Sequence, residues 1–384
     1  MTGCLAMLAG CAGLPDSGSQ ARFDAAQVAR IDAAIENAIA ARQLPGAVFH
    51  LERNGAIHQR AYGRFTYALD AAPVTTATVF DAASLSKVLA TAPSILLLHE
   101  DGKLDLDAKL VDYLPECAGG GKEAITIRQL LTHTSGLAAG LPRKPAWEGR
   151  EAAHARACAQ KLTHVPGSYF RYSDINYLLL GELVRKVSHM EPDAFAEQRL
   201  FRPLRMRDTG YLPLRRMAPD SIAPTQRDPA TGALLQGVVH DPTVRRIGGV
   251  AGSAGVFATV DNIARYARML LGGGELDGVR VLAPESVRLL TTVQTPPGIA
   301  SLRGLGMDID SSFAQRPRGT VFPLGSYGHT GFTGCVLWID PGSRTFYVFL
   351  SNRVYPDDKA NVMDLYTALG TLAAQAVGMG AARP

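Results

Sequence analysis

The sequence lacks the features of several protein classes. No uninterrupted apolar stretch reaches about 18 residues, the length that a membrane-spanning helix needs. No run of about five basic residues occurs, and the 39 Lys and Arg residues barely exceed the 35 Asp and Glu residues, so a nucleic-acid partner or a polybasic membrane patch has no support. Since 47% of the 384 residues are hydrophobic, the chain can form a large core. We expect a soluble globular protein that binds no nucleic acid.

Cofactor and metal motifs are missing as well. The sequence contains no H-E-x-x-H, no G-x-x-x-x-G-K-[ST] and no G-x-G-x-x-G. The five cysteines form no C-x-x-C pair and have no histidine at zinc-site spacing: Cys4, Cys11, Cys117, Cys158 and Cys335. We predict that the protein uses no metal and no cofactor. Because an odd number of cysteines follows Cys11, at least one thiol is free in a monomer; which cysteines pair stays open.

The N-terminal segment, residues 1–20, has the composition of an export signal and tether. Leu8-Ala9-Gly10-Cys11 resembles a bacterial lipobox, in which a lipid-modified cysteine becomes the mature N-terminus. No Lys or Arg precedes Arg22, so the basic region of a secretory signal is absent. We expect a truncated signal and an exported, periplasmic or membrane-anchored lipoprotein with lipid on Cys11. The alternative is a frayed N-terminus of a cytoplasmic protein.

Both ends of the chain are predicted to form one antiparallel sheet. An amphipathic helix follows Asp24 and ends before Pro45-Gly46. The β-prone segments 47–53 and 56–62 are joined by Asn54-Gly55, a strong hairpin signal. Near the other end, 335–339 and 345–350 flank a turn sequence, and 359–377 is predicted to be a closing helix.

The middle of the chain has a helical pattern. Apolar residues recur at helical spacing in four segments separated by loops rich in Pro and Gly: 106–114, 127–132, 175–187 and 194–201. We therefore predict an α+β fold of the α/β sandwich type, with an antiparallel sheet flanked by helices. Residues 21–104 and 246–384 form a split α/β domain, and residues 105–245 form an inserted all-helical lobe. A cleft between the two is the expected ligand site.

Ser84-Leu85-Ser86-Lys87 is the first candidate for chemistry. On a helix, residues three apart share a face, so the Ser84 hydroxyl and the Lys87 ammonium can meet. A serine hydroxyl becomes a nucleophile when a neighbouring base takes its proton, and a buried lysine can serve as that base. The motif alone is weak, because a surface lysine at a helix start produces the same pattern. The helical segment continues to His99 and is expected to break at Pro93.

Two further segments strengthen this interpretation. Tyr172-Ser173-Asp174 precedes the helix at 175–187, and His329-Thr330-Gly331 precedes the strand at 335–339. In isolation, each side chain has a structural alternative: a packed tyrosine, a loop histidine, or, for Asp174, a helix N-cap. The order and rough spacing of the three motifs are those of S-x-x-K, S-x-N and K-T-G enzymes.

The sequence resembles the serine β-lactamase and penicillin-binding protein superfamily. Within it, the motifs are similar to the branch of class C β-lactamases, DD-peptidases, D-aminopeptidases and family VIII carboxylesterases, in which Tyr replaces the serine of the second motif and His often replaces the lysine of the third. The resemblance extends from about Phe23 to about Val377. It implies a β-lactamase/transpeptidase-like fold and a serine hydrolase that forms an acyl-enzyme.

Carried over to this chain, the resemblance implies specific roles. Ser84 is the acylated nucleophile, Lys87 its base or proton relay, and Tyr172 the second half of the acid/base pair. A charged Asp174 beside Lys87 would favour the charged lysine and shift the base role to Tyr172. His329 holds this network or meets a substrate carboxylate.

The oxyanion hole comes, by the same resemblance, from the N–H groups of Ser84 and Phe332 on either side of the substrate carbonyl. We expect the identity of the Phe332 side chain to matter little. Thr330 and Gly331 complete the substrate-binding motif, and Asp174 departs from the family's asparagine, so its role stays open.

The expected substrate is a small ester or amide, or a peptidoglycan-derived molecule. His329 stands where β-lactamases of the family carry a lysine, and histidine is largely neutral above about pH 6.5. We therefore expect a carboxylesterase, a D-peptidase or a muropeptide amidase, with at most weak β-lactamase activity. The alternative is a penicillin-binding module that traps the acyl group with little turnover. Oligomeric state is not predicted.

Overall fold

The structure is a computed structural model that describes residues 23–380. The predicted lipid site, Cys11, and the rest of segment 1–20 lie outside the described residues. No helix within residues 23–380 is both long and apolar enough to span a bilayer.

Seven antiparallel strands form the main sheet, in the spatial order β2-β1-β11-β10-β9-β8-β7. Two small two-stranded sheets, β3 with β4 and β5 with β6, lie apart from it. The strands are β1 (Gly46–Arg53), β2 (Ala56–Gly63), β3 (Phe80–Asp81), β4 (Phe257–Ala258), β5 (Glu275–Leu276), β6 (Val279–Arg280), β7 (Leu302–Arg303), β8 (Asp308–Asp310), β9 (Tyr327–Gly331), β10 (Cys335–Asp340) and β11 (Thr345–Ser351).

Twelve α-helices occur among the described residues. They are α1 (Ala25–Ala40), α2 (Ala92–Glu100), α3 (Leu110–Tyr113), α4 (Ile127–Leu131), α5 (Arg150–Cys158), α6 (Asp174–Ser188), α7 (Pro192–Ala196), α8 (Pro242–Arg246), α9 (Val260–Leu271), α10 (Pro284–Thr291), α11 (Gln315–Arg318) and α12 (Met363–Ala376). All eleven strands lie outside residues 105–245. The α+β fold and the antiparallel sheet are as predicted, while the exact domain boundaries stay a prediction.

The sheet is buried on both faces. Along β11, Tyr347 and Phe349 belong to the cluster that α1 and α12 cover, whereas Phe346, Val348 and Leu350 belong to the larger core on the opposite face. This alternation follows from the two-residue period of a strand. Because both faces are apolar, helices must cover both, and the sheet becomes the central layer of a sandwich.

Both predicted hairpins form. Asn54 and Gly55 connect β1 to β2 with positive φ angles of 49° and 83°, the conformation that an Asn-Gly turn favours. β10 pairs with β11 through the second turn, and Asp340 lies opposite Thr345. The register of β11 against β1 then joins the two ends of the chain in one sheet.

Two predicted helices have other boundaries in the structure. The closing helix begins at Met363 rather than at 359, and the side chain of Asn361, the residue before the N-cap Val362, accepts a hydrogen bond from the Met363 N–H. The segment predicted as a helix over 106–114 is helical only at Leu110–Tyr113. Its first part forms a turn and a bend instead, in which the Leu106 and Ala108 carbonyls accept hydrogen bonds from the first turn of α4.

The break predicted at Pro93 does not occur. A π-turn, Lys87–Thr91, runs directly into α2, and Pro93 lies in the first turn of that helix. Pro93 has no N–H to donate to the preceding π-turn, and the Val88 carbonyl in that turn accepts a 2.6 Å hydrogen bond from the Tyr266 hydroxyl.

Candidate active site

Ser84 and Lys87 lie on a tight helical segment that follows β3. Ser84 belongs to a 3-10 turn, Ala83–Leu85, just before the π-turn that Lys87 opens. Ala83 has a φ of 46°, a left-handed conformation that is unfavourable for most residues with a side chain. The Asp81 carboxylate supports this turn by accepting a 2.8 Å hydrogen bond from the Ala83 N–H. The turn places Lys87 Nζ 3.0 Å from Ser84 Oγ, the contact that the spacing predicts.

The Lys87 ammonium is completely buried, and its neighbours determine its charge. It donates a 2.7 Å hydrogen bond to the Ser253 carbonyl and forms a 2.8 Å ion pair with Asp174. Burial by itself lowers the pKa of Lys87, but the charge of Asp174 and the contact with Tyr172 outweigh burial and raise the pKa above its usual value. An ammonium group donates hydrogen bonds but has no lone pair for a proton. In this arrangement Lys87 Nζ lies as a hydrogen-bond donor to Ser84 Oγ.

Asp174 is not the N-cap of α6, contrary to the structural alternative. The cap is Ser173, whose Oγ accepts a hydrogen bond from the Asn176 N–H, and Asp174 is the first helical residue. Because Ser173 satisfies the helix N-terminus, the Asp174 carboxylate is available for Lys87.

The ring of Tyr172 is enclosed by other aromatic groups. The imidazole of His133 stacks on it at 4.4 Å between ring centroids, Phe313 lies at 5.1 Å and His329 at 5.9 Å. Lys87 Nζ lies 5.1 Å from the centre of the same ring. The structure thus brings together the members of all three motifs, which are far apart in the sequence.

His329 is buried and in contact with a backbone carbonyl. Its Nδ1 lies 2.8 Å from the Thr330 carbonyl oxygen, which can only accept a hydrogen bond. Nδ1 therefore carries the proton, and Nε2 of the neutral ring is an acceptor. Burial, followed by the charges of Arg303 and Lys87, lowers the pKa of His329 well below its usual value. A neutral acceptor cannot attract a substrate carboxylate, so the geometry favours the other predicted role, holding the hydrogen-bond network.

His133 lies behind Tyr172 and is also held neutral. Its Nδ1 accepts a 3.0 Å hydrogen bond from the Ser173 N–H, which fixes the loop that carries Tyr172. Burial and the nearby Arg303 and Lys87 charges lower the pKa of His133 well below its usual value.

The third motif lies at the end of β9, directly beside the Ser84 segment. A Cβ atom on Gly331 would come within 2.4 Å of the Ala82 carbonyl oxygen, so only glycine permits this close approach. Thr330 and Gly331 consequently face the cleft next to Ser84. Glycine at this position is required by the packing of the strand against the nucleophile segment.

Phe332 has a more specific environment than we expected. Its ring stacks on His240 at 5.5 Å between centroids. The Arg353 guanidinium lies over the same ring, 4.4 Å from its centre, in a cation–π contact. The side chain is 52% exposed and lines the cleft. The identity of the Phe332 side chain therefore affects the packing between the end of β9 and the loop before α8. The predicted oxyanion contact, in contrast, needs only the Phe332 N–H group.

A cleft of about 290 Å³ joins these groups. Its walls combine the motif residues with apolar side chains and two arginines. The lining residues are Ser84, Tyr172, Asp308, Ser312, Phe313, Arg316, Pro317, His329, Thr330, Gly331, Phe332, Trp338, Arg353, Met363 and Tyr366. A cleft of this size suits a small ester or peptide.

Several groups of the site carry no motif signal. Asp81 supports the nucleophile turn, Ser253 contributes only its carbonyl, and Arg303 with Asp308 forms a buried ion pair behind Tyr172 with a 2.9 Å contact. Their positions depend on strand pairing and loop packing, which no local pattern specifies.

One trio of candidate metal ligands lies close together within residues 23–380: Cys117, His154 and Cys158. Cys117 and Cys158 are joined by a disulfide bond, which uses the two sulfur atoms that would bind a metal. Cys335 is a buried free thiol, so the pairing left open by the sequence is resolved. The absence of a metal and of a cofactor stays a prediction.

Sequence comparison gives a family match over most of the chain. The sequence model described as Beta-lactamase matches residues 31–372. A protein of Escherichia coli strain K12, provisionally named D-alanyl-D-alanine carboxypeptidase, is 31% identical over 313 residues, which are 73% of this chain and 70% of that protein.

Solved structures share the fold. The unliganded simvastatin synthase of Aspergillus terreus superposes with a TM-score of 0.72 and 22% identity, covering 92% of this chain and 99% of the other. A hydrolase with promiscuous acyltransferase activity superposes with a TM-score of 0.69 and 21% identity, covering 90% and 98%. At these identities the likeness concerns the fold.

Proposed function

The chain belongs to the beta-lactamase family and is a serine hydrolase, and we propose that Ser84 is the nucleophile that forms its acyl-enzyme. The observation that carries this proposal is the 3.0 Å contact between Ser84 Oγ and a completely buried Lys87 ammonium at the edge of the cleft. A hydroxyl in this position is polarised by a fixed positive charge and faces substrate.

Tyr172 is the proposed general base and acid. Lys87 is held as an ammonium by Asp174, so the Tyr172 oxygen, entering the step as a phenolate, is the group left to take the Ser84 proton and become the phenol. Ser84 Oγ then bonds to the substrate carbonyl carbon, and the N–H groups of Ser84 and Phe332 receive the oxyanion. As the bond to the leaving group breaks, Tyr172 returns the proton to the departing nitrogen or oxygen. A water molecule attacks the acyl ester by the same route and regenerates Ser84.

The proposed substrate is a small ester or peptide amide, including peptidoglycan-derived peptides. The name of the E. coli relative supports a D-alanyl peptide. The cleft supports a substrate with both apolar and anionic parts, since Phe313 and Met363 are partly exposed at its wall and Arg316 lies beside them. Because His329 is neutral, an arginine is the available cation for a substrate carboxylate.

Labelling of Ser84 tests the nucleophile. Intact-protein mass spectrometry after incubation with a fluorophosphonate or a penicillin should show one adduct on the wild-type protein and none on Ser84→Ala. Ser312→Ala is the matched control, because Ser312 lines the same cleft without contacting Lys87, and it should retain the adduct. An adduct that persists in Ser84→Ala would refute the assignment.

Turnover then separates the substrates. We expect Ser84→Ala to reduce kcat at least about a thousandfold on whichever of three probes the wild type hydrolyses: a short-chain p-nitrophenyl ester, nitrocefin or a peptide ending in D-Ala-D-Ala. Wild-type rates retained in Ser84→Ala would contradict the mechanism.

A second candidate is an acyl-trapping module with slow turnover. The Lys87 to Asp174 ion pair favours it, since it leaves Tyr172 alone to activate water for deacylation. The lifetime of the penicillin adduct distinguishes the two: a transient adduct supports the hydrolase, and an adduct stable for hours supports the module.

We also propose export and membrane attachment through a lipidated Cys11. The Cys117–Cys158 disulfide supports an oxidising compartment, because disulfides are rare in the reducing cytoplasm. Mass analysis of the membrane fraction should find a lipid on Cys11. An unmodified Met1 on protein from the cytoplasm would refute the proposal.

A further inference from the structure

A buried ion pair lies behind the candidate active site. Arg303 ends β7 and Asp308 begins β8, and the two residues lie opposite each other in register. Arg303 Nη1 is 2.9 Å from Asp308 Oδ2, and Nη2 donates a 2.8 Å hydrogen bond to the Gly306 carbonyl in the connecting turn. Arg303 is completely buried, and Asp308 is nearly so.

The pair is poorly suited to stabilising the fold. Within residues 23–380, Arg303 Nε and Asp308 Oδ1 have no hydrogen-bond partner. Burial of two charges carries a large desolvation penalty, and incomplete hydrogen bonding leaves part of that penalty uncompensated. Replacement of such pairs by apolar residues is often neutral or stabilising. A role in the chemistry of the neighbouring site accounts better for its presence.

The guanidinium group faces the ring of Tyr172. Arg303 Cζ lies 6.0 Å from the centre of that ring and 5.7 Å from the ring of Phe170. Lys87 Nζ lies 5.1 Å from the Tyr172 centre. Two buried cations thus lie within about 6 Å of the centre of one phenol ring, close enough to act on a charge that forms there during the reaction.

The remaining charged and titratable neighbours are two histidines and the two carboxylates that pair with these cations. His133 and His329 have pKa values lowered well below the usual value by burial and then by Arg303 and Lys87, so both rings are neutral. Asp174 is the partner of Lys87. Burial raises the pKa of Asp308, which its partner Arg303 counteracts only in part.

We propose that Arg303 is an electrostatic positioning residue whose guanidinium stabilises negative charge on Tyr172, and that Asp308 moderates this effect. The inference rests on the proposed function, in which Tyr172 takes the proton of Ser84. Arg303 does not touch substrate, and it acts through the protonation state of Tyr172.

Two substitutions are expected to shift the pH dependence of Ser84 acylation in opposite directions. Arg303→Met removes the cation, so the acid limb of the rate profile should move up by about one pH unit. Asp308→Asn removes the opposing charge at nearly constant shape, so the acid limb should move down. Arg303→Lys keeps the charge and should leave the limb near its wild-type position.

The measurement is the rate of fluorophosphonate labelling of Ser84 by each full-length protein from pH 5 to about pH 9, followed by intact-protein mass spectrometry. At pH 7, Arg303→Met should react about tenfold more slowly than the wild type, with the rates converging at high pH. The position of a limb on the pH axis does not depend on the amount of folded protein, so partial misfolding of one variant leaves the test valid.

Three outcomes decide the matter. Opposite shifts for Arg303→Met and Asp308→Asn support the proposal. Unshifted limbs, or a loss of rate that is equal at every pH, overturn it and leave Arg303 a structural residue. No labelling of wild-type Ser84 at any pH would refute the proposed function itself, and with it this inference.

Discussion

The charge of Lys87 depends on side chains from distant parts of the chain. Asp174 and the Ser253 carbonyl both contact its ammonium, and neither is close to Lys87 in sequence. In the proposed mechanism, the lysine of the first motif therefore polarises Ser84, and Tyr172 takes the proton. At this scale, burial and one ion pair decide which member of a motif acts as the base.

His240 links stability to pH at the scale of one residue. Burial, and then the charge of Arg245, lowers the pKa of His240 to about 4. The unfolded histidine binds a proton near pH 6.5, while the folded one stays neutral until about pH 4. Between these values the unfolded state binds more protons, so the free energy of unfolding falls as the pH decreases, by roughly 2 kcal/mol from about pH 6.5 to about pH 4.5.

The matched variant is His240→Gln, which cannot titrate. Urea unfolding across this range should show that the wild type loses roughly 2 kcal/mol more stability than His240→Gln. The comparison between variants is necessary because the pKa of Asp81 is raised by burial to about 6, which stabilises the folded state in acid and opposes the histidine. Parallel curves for the two proteins would contradict the prediction.

At the scale of elements, the start of α6 positions two groups of the site. Ser173 Oγ caps the helix and also donates a 2.6 Å hydrogen bond to the Ala138 carbonyl. Tyr172 and Asp174 lie on either side of it. The cap therefore fixes the residue at which α6 begins, and this fixes the orientation of the Tyr172 and Asp174 side chains.

Ser173→Ala should reduce both stability and activity. We expect a loss of about 1–2 kcal/mol in the free energy of unfolding and a fall in kcat of roughly tenfold or more, since Tyr172 and Asp174 lose their fixed geometry. Asp24→Ala is the control, because Asp24 caps α1 through hydrogen bonds of 2.8 and 3.1 Å far from the cleft. It should lose similar stability with unchanged kcat. Equal kcat for the two variants would show that the α6 cap does not position the site.

At the scale of the whole molecule, the disulfide ties two parts of the helical region together. Cys117 ends a 3-10 turn, Cys158 ends α5, and 41 positions separate them. A cross-link over this separation lowers the conformational entropy of the unfolded chain. For a loop of this length, the lost entropy corresponds to a stabilisation of the folded state by about 4 kcal/mol.

Removal of the disulfide should therefore destabilise the protein by up to about 4 kcal/mol. Urea unfolding of the wild type with and without reductant measures the effect directly. The variant Cys117→Ser with Cys158→Ser should be less stable than the oxidised wild type and insensitive to reductant. An unchanged free energy of unfolding after complete reduction would argue against the contribution.

Local sequence patterns predicted those elements whose formation depends on residues that are close together in the sequence. The Asn54-Gly55 hairpin and the helix at α6 both form. Local patterns were insufficient where a distant segment competes for the same backbone groups, as at 106–109, whose carbonyls cap α4. Tertiary contacts override propensity at such points.

The sequence by itself determined the α+β fold, the hydrolase family and the three motifs of the site, because strand and helix periods and motif spacing are properties of the linear chain. Only the tertiary structure decided how charge is distributed among them. Asp174 holds Lys87 as an ammonium, His329 is a neutral acceptor, and Arg303 faces Tyr172 although no motif contains it. The physical reason is that a protonation state depends on burial and on charges within about 6 Å, and those neighbours come from β7, β9, α6 and the Ser253 loop, which meet only in the folded protein.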